Sequence, residues 1–303
     1  MDNLISLFSD NILPIFITAG AGFILGRRID LDPRTVSRVV FFLFSPCLIF
    51  KLLIESELEQ SAILQMVAIA LSSTIIIGGI TFLISKFLKF NRRMLVAVLL
   101  TTMFTNAGNY GLSLNSFAFG KDTLAYASIY FVVSASMMYT LGVLIASMGR
   151  ASLKQAFLGL FRLPTLYALL GAGLFNYLDL TLPLPLHRTV DLLGQAAIPA
   201  MLVLLGLQLQ RATWTANWAA LGTANVIRLA ISPLVAFGLS ALMSLQGPAL
   251  QAGVTEASMP TAVMSTVLAT EYDVEPAFVT TVVTTTTLLS PLTLTPLLAL
   301  LGG

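Results

Sequence analysis

Residues 94–118 read MLVAVLLTTMFTNAGNYGLSLNSFA, an apolar segment that carries a polar, glycine-containing stretch from Thr105 to Gly111 in its middle. Glycine lowers helix propensity by about 1 kcal/mol relative to alanine, and asparagine side chains compete for backbone hydrogen bonds. We therefore expect unwound backbone at the centre of this segment. Such backbone is tolerated inside a membrane only where it is buried in protein or lines a cavity.

A second apolar segment, residues 249–270, is interrupted by Glu256-Ala-Ser-Met259-Pro260. Proline removes one backbone donor and clashes with the carbonyl four residues earlier, which leaves carbonyl oxygens free for a cation. Two breaks at matching places in two halves of a chain would form a substrate site from helix ends near the membrane midplane. Half-helix N-termini favour an anionic group there, and C-termini favour a cation.

The composition is that of an integral membrane protein. Of the 303 residues, 57% are hydrophobic and 10% charged, against roughly 25% charged in a soluble domain; the mean hydropathy is +0.91. At about 20 apolar residues per span, the chain has room for roughly ten spans and no separate soluble domain. We therefore expect the protein to be embedded in a lipid bilayer. Nucleic acid is not an expected partner, because the basic residues form no stripe.

The apolar runs are continuous and do not alternate, so we expect helices and not a barrel. The predicted fold is all-α, with ten membrane spans at about residues 11–26, 36–54, 62–85, 94–118, 122–148, 164–180, 188–209, 215–245, 249–270 and 275–300.

The two halves repeat weakly. Leu13-Pro14 and Gly20-Ala-Gly22 recur as Leu163-Pro164 and Gly171-Ala-Gly173, and further landmarks recur at offsets between 150 and 154. Because five is an odd number of spans, a second five-helix repeat must enter the membrane from the opposite side, as in secondary transporters. We therefore predict a first repeat over residues 1–148, a cytoplasmic connection over 149–163 and a second repeat over 164–303. The connection includes an interfacial amphipathic helix at about 150–162.

Lysine and arginine concentrate in the odd-numbered connections between predicted spans, Arg150 among them. The even-numbered connections hold only Lys51, Lys121 and Arg188. The positive-inside rule then places both termini outside, in a plasma membrane of the bacterial inner-membrane type. Acidic residues, Glu57 among them, lie in the second connection and suit the outer face.

Glu256 and Arg228 are the charged residues far inside predicted spans, where a charge costs about 3 kcal/mol or more. They could pair with each other across two spans and hold the bundle together. Alternatively, Glu256 could couple transport to an ion, and Arg228 could be the counterion of an anionic substrate. Both interpretations remain open at this stage.

The other notable residues have ordinary explanations. Cys47 is the single cysteine, so neither a disulfide within the chain nor a cysteine-based metal site can form. His187 reads as an unremarkable loop residue, and the threonine-rich run from 280 to 287 as close helix packing. Four prolines are interpreted as kinks or packing features: Pro46, Pro199, Pro233 and Pro291.

Together these motifs resemble the auxin efflux carrier family, the bacterial relatives of plant PIN carriers. The resemblance rests on Leu13-Pro14, Gly26 to Arg28, Asp32-Pro33, Ser45-Pro46 and the two interrupted segments. The sequence departs from the family where a proline commonly follows the second glycine of the fourth-helix motif by two residues. Ser113 occupies that position.

The resemblance implies a fold similar to that of the bile acid:sodium symporters, with broken, crossed helices 4 and 9. Helices 1, 2, 6 and 7 would form a scaffold, helices 3–5 and 8–10 a mobile core, and transport would follow an elevator mechanism. Family members carry small organic anions such as auxin, malate or malonate. In sodium-coupled relatives, a glutamate of helix 9 and an asparagine of helix 4 bind the ion, which maps onto Glu256 and Asn106. A homodimer through the scaffold helices and a monomer are both open.

The predicted function is secondary active transport of a small carboxylate, coupled to sodium at Glu256 and Asn106 or to protons, with no other cofactor. Thr105 is a further predicted residue of the coupling site. A membrane receptor that binds the anion without moving it is the alternative, and an enzyme is disfavoured because we find no catalytic constellation. The predicted substrate-binding residues are Asn106, Gly108, Asn109, Tyr110, Gly111, Met259, Pro260 and Arg228.

Overall fold

The computed structural model describes residues 2–56, 58–148, 153–211, 214, 215 and 217–303. The predictions that concern Glu57, Arg150 and the first part of the 149–163 connection fall outside these residues. Within the described ranges the chain is helical, and one isolated antiparallel bridge joins Thr105 to Thr261.

The predicted apolar runs form helices, several of which extend a few residues beyond the predicted limits. In chain order they are α1 (Leu4–Arg28), α2 (Pro33–Ile54), α3 (Gln60–Phe87), α4 (Arg92–Met103), α5 (Ser113–Phe119), α6 (Lys121–Ala146), α7 (Leu153–Leu160), α8 (Pro164–Tyr177), α9 (Leu184–Gln210), α10 (Trp218–Leu242), α11 (Gly247–Ala257), α12 (Met264–Glu271), α13 (Pro276–Leu289) and α14 (Pro291–Leu301).

Six of the described helices, α1, α2, α3, α6, α9 and α10, are each long and apolar enough to cross a membrane. The pair α13 and α14, bent by 49° at Ser290, makes a seventh if it counts as one span. The prediction of an all-helical membrane protein is confirmed. The count of ten spans stays a prediction, because the remaining helices are too short to pass this test individually.

Both predicted interruptions are confirmed as breaks. Helix α4 ends at Met103, and a π-helical turn over Ala107–Leu112 then leads into α5. Helix α11 ends at Ala257, and α12 begins only at Met264. At the position where the family commonly has proline, the Ser113 hydroxyl donates to the Asn109 carbonyl at 3.2 Å and the chain continues as helix.

Three prolines inside long helices, Pro14, Pro46 and Pro233, follow π-helical turns. The ring of a proline clashes with the carbonyl four residues earlier, and a wider turn moves that carbonyl away. Before Pro46, for example, the Ser45 backbone N–H donates to the Val40 carbonyl five residues back. The same arrangement precedes Pro14 and Pro233, with π turns over Phe8–Ile12 and Ile227–Ile231.

Helices α1 and α9 pack with backbone against backbone. A Cβ atom on Gly22 would lie 2.2 Å from the Val203 carbonyl oxygen, and one on Gly206 would lie 1.8 Å from the Ala19 carbonyl oxygen. Small residues of this kind let two membrane helices approach closely. The pair therefore forms a rigid seam between the two halves of the chain.

The ion pairs among the described residues join helix ends. His187, which we expected to be an unremarkable loop residue, instead lies in the first turn of α9 with its Nε2 3.2 Å from Glu55 Oε1. The loop placement is therefore wrong, and the contact with Glu55 could not be predicted because the two residues are 132 apart in sequence. The other pairs are Lys51 with Asp191, Arg93 with Asp273 at 2.8 Å, Lys121 with Glu55 at 2.7 Å, and Arg211 with Asp30 at 3.8 Å.

Threonines of α13 mostly bond within their own helix, as the packing interpretation predicts. Five hydroxyls donate to carbonyls four residues earlier, those of Thr280, Thr281, Thr284, Thr286 and Thr287.

Candidate substrate and ion site

The two unwound segments pair with each other. The Asn106 N–H donates to the Pro260 carbonyl at 2.8 Å, and the Ala262 N–H donates to the Phe104 carbonyl at 2.9 Å. Pro260 has no N–H, so it joins the pairing through its carbonyl alone. Buried backbone groups need partners, and here each break supplies them to the other. The breaks that lie far apart in sequence thus form one crossing.

Side chains of the second segment bind the free carbonyls at the end of α4. The Thr261 hydroxyl donates to the Thr101 carbonyl at 2.7 Å, and the Ser265 hydroxyl donates to the Leu100 carbonyl at 2.9 Å. The last carbonyls of any helix have no partner inside that helix, so these contacts stabilise the interrupted end.

Arg228 of α10 reaches the same crossing from a third helix. The side chain is buried, with a relative exposure of 1%. Its Nη1 donates to the Thr102 carbonyl at 2.5 Å and its Nη2 donates to the Ala257 carbonyl. No ion pair joins Arg228 to Glu256 among the described residues. The interpretation that these two charges pair with each other is therefore wrong: the arginine prefers two helix C-terminal ends.

Glu256 is fully buried on α11 and has a different partner. Its Oε1 accepts a hydrogen bond from Asn115 Nδ2 at 2.9 Å, and the same amide donates to the Gly111 carbonyl at 2.9 Å. The second carboxylate oxygen, Oε2, has no hydrogen-bond partner among the described residues. A buried polar group without a partner costs about 1–3 kcal/mol, more if charged, so this oxygen is destabilising as it stands.

Gly111 makes this contact possible. A Cβ atom at this position would lie 2.2 Å from Glu256 Oε2, closer than any real contact. Only the absence of a side chain therefore lets the carboxylate approach the backbone. Gly108 similarly faces the Phe131 ring, which would lie 2.8 Å from an added Cβ.

Asn106 and Asn109 are both buried but make different contacts. Asn106 takes part in the crossing through its backbone, while its Nδ2 has no partner among the described residues. Asn109 Nδ2 is 3.4 Å from Gln208 Oε1 on α9, so this side chain connects the crossing to the α1–α9 seam. The structure brings Asn115, and not Asn106, to within hydrogen-bonding distance of Glu256.

Tyr110 and Met259 lie in an apolar cluster on the α1 side of the crossing. The Tyr110 hydroxyl accepts a hydrogen bond from Ser290 Oγ at 3.2 Å, and the Phe16 ring meets its ring edge-on. A crevice of about 10 Å³, the space of about one water molecule, lies beside Tyr110 between α1, α9 and Thr287. This crevice is too small to hold a carboxylate.

Several buried oxygens near the breaks have no hydrogen-bond partner among the described residues. They are Thr105 Oγ1, Asn109 Oδ1, Asn115 Oδ1, Thr255 Oγ1 and Glu256 Oε2. The described residues contain no group of three or more histidine, cysteine, aspartate or glutamate side chains that could hold a metal ion.

Sequence reasoning missed two of the residues that build this site. Asn115 follows Gly111 by four residues, and positions four apart lie on one helix face, so that spacing could have revealed it. Gln208 gave no such signal, because its contact with Asn109 depends on the packing of α9 against the break.

A helical protein of the membrane, with two broken helices paired around a buried carboxylate, has the architecture of a membrane transporter. The chain belongs to the family described as Membrane transport protein, which matches residues 7–155 and 146–298. This match confirms the resemblance to the auxin efflux carrier family.

Named relatives agree with this assignment. The chain is 27% identical to an "Uncharacterized transporter" of Methanothermobacter thermautotrophicus over 93% of this chain and 94% of the relative. It is 26% identical to a "Putative malonate transporter" of Rhizobium meliloti over 96% and 94% of the two chains. An uncharacterized transporter of Methanocaldococcus jannaschii is 24% identical over 88% and 90%. The family and these relatives are transporters, as predicted, and not enzymes.

Proposed function

We propose that the protein is a secondary active transporter of a small organic anion, a carboxylate such as malonate, malate or an auxin-like acid. One observation carries the proposal: the crossing holds a fully buried carboxylate, Glu256, with one oxygen that lacks a partner among the described residues. The name of the Rhizobium meliloti relative favours malonate as the first substrate to test.

The charges at the crossing support coupling to a cation. Each helix end carries about half an elementary charge, negative at the C-terminus and positive at the N-terminus. The C-terminal ends of α4 and α11 offset Arg228, and the N-terminal ends that follow the breaks offset an ionised Glu256. On this count, a bound monocarboxylate leaves about one negative charge uncompensated, and the dianion of a dicarboxylate such as malonate leaves about two. One sodium ion or proton at Glu256 would neutralise one of these charges.

The ion pairs support the predicted topology of ten spans in two inverted repeats. In that topology, odd-numbered connections lie on one side of the membrane and even-numbered ones on the other. Arg93 with Asp273 joins the third and ninth connections, and Arg211 with Asp30 joins the seventh and first. The pairs made by Glu55 join the second, fourth and sixth, and Lys51 with Asp191 joins the ends of spans 2 and 7 on that same side. Among the described residues, no ion pair joins an odd-numbered connection to an even-numbered one.

Packing supports the proposed division into scaffold and mobile core. Helices α1, α2, α8 and α9 pack against one another, with α1 on α9 and α8 on α2 as the main contacts. Helix α6 packs on α3 and α11, and α13 packs on α4. An elevator movement would carry the second group, with the crossing, against the first. The repeats over 1–148 and 164–303, both termini outside, a bacterial inner membrane and a homodimer through the scaffold belong to the same proposal.

Uptake by liposomes that contain the purified protein tests this function. We expect labelled malonate to accumulate when an inward gradient of the coupling ion is imposed. If that ion is sodium, uptake should stop when sodium is replaced by potassium at equal pH; if it is the proton, uptake should persist in potassium and require a pH gradient. Glu256→Gln keeps the shape of the side chain but removes its charge, so it should abolish the ion dependence. Glu271→Gln, at an exposed position, is the matched control and should behave as wild type.

Transport and receptor-like binding give separable outcomes in this experiment. Malonate binding without flux under any gradient would favour the receptor alternative. Flux that is unchanged in Glu256→Gln would exclude Glu256 as the coupling group.

A further inference from the structure

Arg228 contacts both broken helices at equivalent points. Its two acceptors, Thr102 and Ala257, are the next-to-last residue of α4 and the last residue of α11. Both carbonyls are among the last four of their helix, which have no hydrogen-bond partner within the helix, and both lie at the negative end of a helix dipole. One guanidinium thus meets two ends of the same kind.

We propose that Arg228 is a positioning residue, which fastens the C-terminal ends of α4 and α11 to α10 and holds the two breaks in register. The Asn106 and Ala262 amides that pair across the crossing lie only a few residues beyond these ends. If the ends separate, the two backbone hydrogen bonds between the breaks must separate with them.

The chemistry of arginine suits this role better than that of lysine. The guanidinium has a planar fork of donors on separate nitrogens, whereas an ammonium is a point charge on one nitrogen. Arg228 uses Nη1 for one helix end and Nη2 for the other. A lysine here would retain the charge but could not reproduce this two-sided geometry.

The competing role is that of an anion ligand. Arg228 Nε has no hydrogen-bond partner among the described residues, so a donor is left over. However, both terminal nitrogens already bind carbonyls, and the side chain is 1% exposed. Because the guanidinium has five N–H donors, donors remain for an anion, but the two helix ends already fix the orientation of the buried group.

Hydrogen exchange without substrate tests the proposal independently of what the protein carries. Peptides that cover residues 104–112 and 258–264 would be compared with peptides from α1 and α9 in wild type, Arg228→Lys and Arg228→Gln. We expect exchange in both break peptides to rise about tenfold in Arg228→Gln, with α1 and α9 unchanged, since a charged hydrogen bond is lost at each break. In Arg228→Lys, exchange should rise at one break more than at the other.

Arg211→Gln is the matched control, because Arg211 is exposed and donates to the Leu31 carbonyl at a connection. It should leave both break peptides unchanged. Wild-type exchange at both breaks in Arg228→Lys would overturn the proposal, since a point charge would then suffice. A uniform rise over the whole chain in both Arg228 variants would also overturn it, because Arg228 would then hold the bundle and not the crossing.

Malonate-dependent thermal shifts separate the anion-ligand role. If Arg228→Gln abolishes the malonate shift while exchange in both break peptides stays at the wild-type level, Arg228 is a ligand and not a positioning residue. If malonate gives no shift in wild type either, the proposed substrate is wrong, while the exchange result still decides the role of Arg228.

Discussion

Gly111 and Glu256 share one space in the crossing, since a Cβ atom on residue 111 would lie 2.2 Å from Glu256 Oε2. The glycine was predicted as part of a helix break, but the structure gives it a second task. It determines how close the carboxylate can come to the backbone of the other broken helix.

Gly111→Ala should therefore disrupt the site. The added methyl group must displace the carboxylate or separate the two breaks, and overpacking of this kind costs about 1–3 kcal/mol. We expect a lower melting temperature and loss of malonate uptake. Gly79→Ala is the control, because Gly79 is exposed on α3 with nothing within 4 Å of an added Cβ. Equal behaviour of the two variants would show that the carboxylate does not need this space.

Asn115→Ala should weaken ion binding more than it weakens the fold. It removes the hydrogen bond that orients Glu256 Oε1 and leaves both carboxylate oxygens without a partner. We expect the sodium concentration for half-maximal uptake to rise about tenfold, which corresponds to about 1.4 kcal/mol. Asn225→Ala also removes an amide, one that is half-buried and bonds to Thr285 and not to Glu256. If both variants shift the ion dependence equally, Asn115 has no specific role.

The α1–α9 seam offers a comparison within a single helix. Gly22→Ala would place a methyl group 2.2 Å from the Val203 carbonyl oxygen, whereas Gly20→Ala meets nothing within 4 Å. We expect Gly22→Ala to lower the melting temperature clearly, because the clash is with backbone that cannot move aside. Gly20→Ala should leave it unchanged or slightly higher. A thermal unfolding curve of each variant in detergent decides the matter.

Asp32 should make stability depend on pH near the first connection. Its pKa is lowered from the ordinary value of 3.8, because the carboxylate accepts hydrogen bonds from the Arg34 backbone N–H and from the Thr35 hydroxyl and N–H. A lowered pKa means that the folded state favours the ionised form. The stabilisation is therefore present above pH 3.8 and is lost as the pH falls through the lower folded-state value.

The measurement is the difference in melting temperature between wild type and Asp32→Ala as a function of pH. Wild type should be more stable at pH 7, and the difference should shrink below about pH 4. A constant difference across this range would show that the contribution of Asp32 does not depend on its charge.

The sequence predicts the parts of this structure that depend on local chemistry. Gly108, Gly111 and Pro260 weaken a helix wherever they occur, so both breaks could be located before any packing was known. The continuous apolar runs similarly predict the long helices. Where the intrinsic conformational preference of a residue decides the backbone, the sequence alone predicts the local structure.

Partners that are distant in sequence could not be predicted in the same way. Arg228 was expected to bind Glu256 or a substrate anion, since those are the charges that a sequence displays. Its observed acceptors are the backbone carbonyls of Thr102 and Ala257. Every residue has such a carbonyl, so the sequence does not show which ones accept a hydrogen bond. His187 is a similar case, because its neighbour Glu55 is brought close only by the packing of α9 on α2.

The hydrogen bond from Thr261 to Thr101 spans 160 residues of sequence, more than half of the chain. Contacts of such high sequence separation form late, because the loop between them must be closed first. A ribosome that has released only the first five predicted spans has produced α4 with its C-terminal carbonyls still lacking both Arg228 and the second break. We therefore expect assembly of the transport site to be one of the last steps of biogenesis. Until the second half is inserted, the C-terminal carbonyls of α4 need other hydrogen-bond partners.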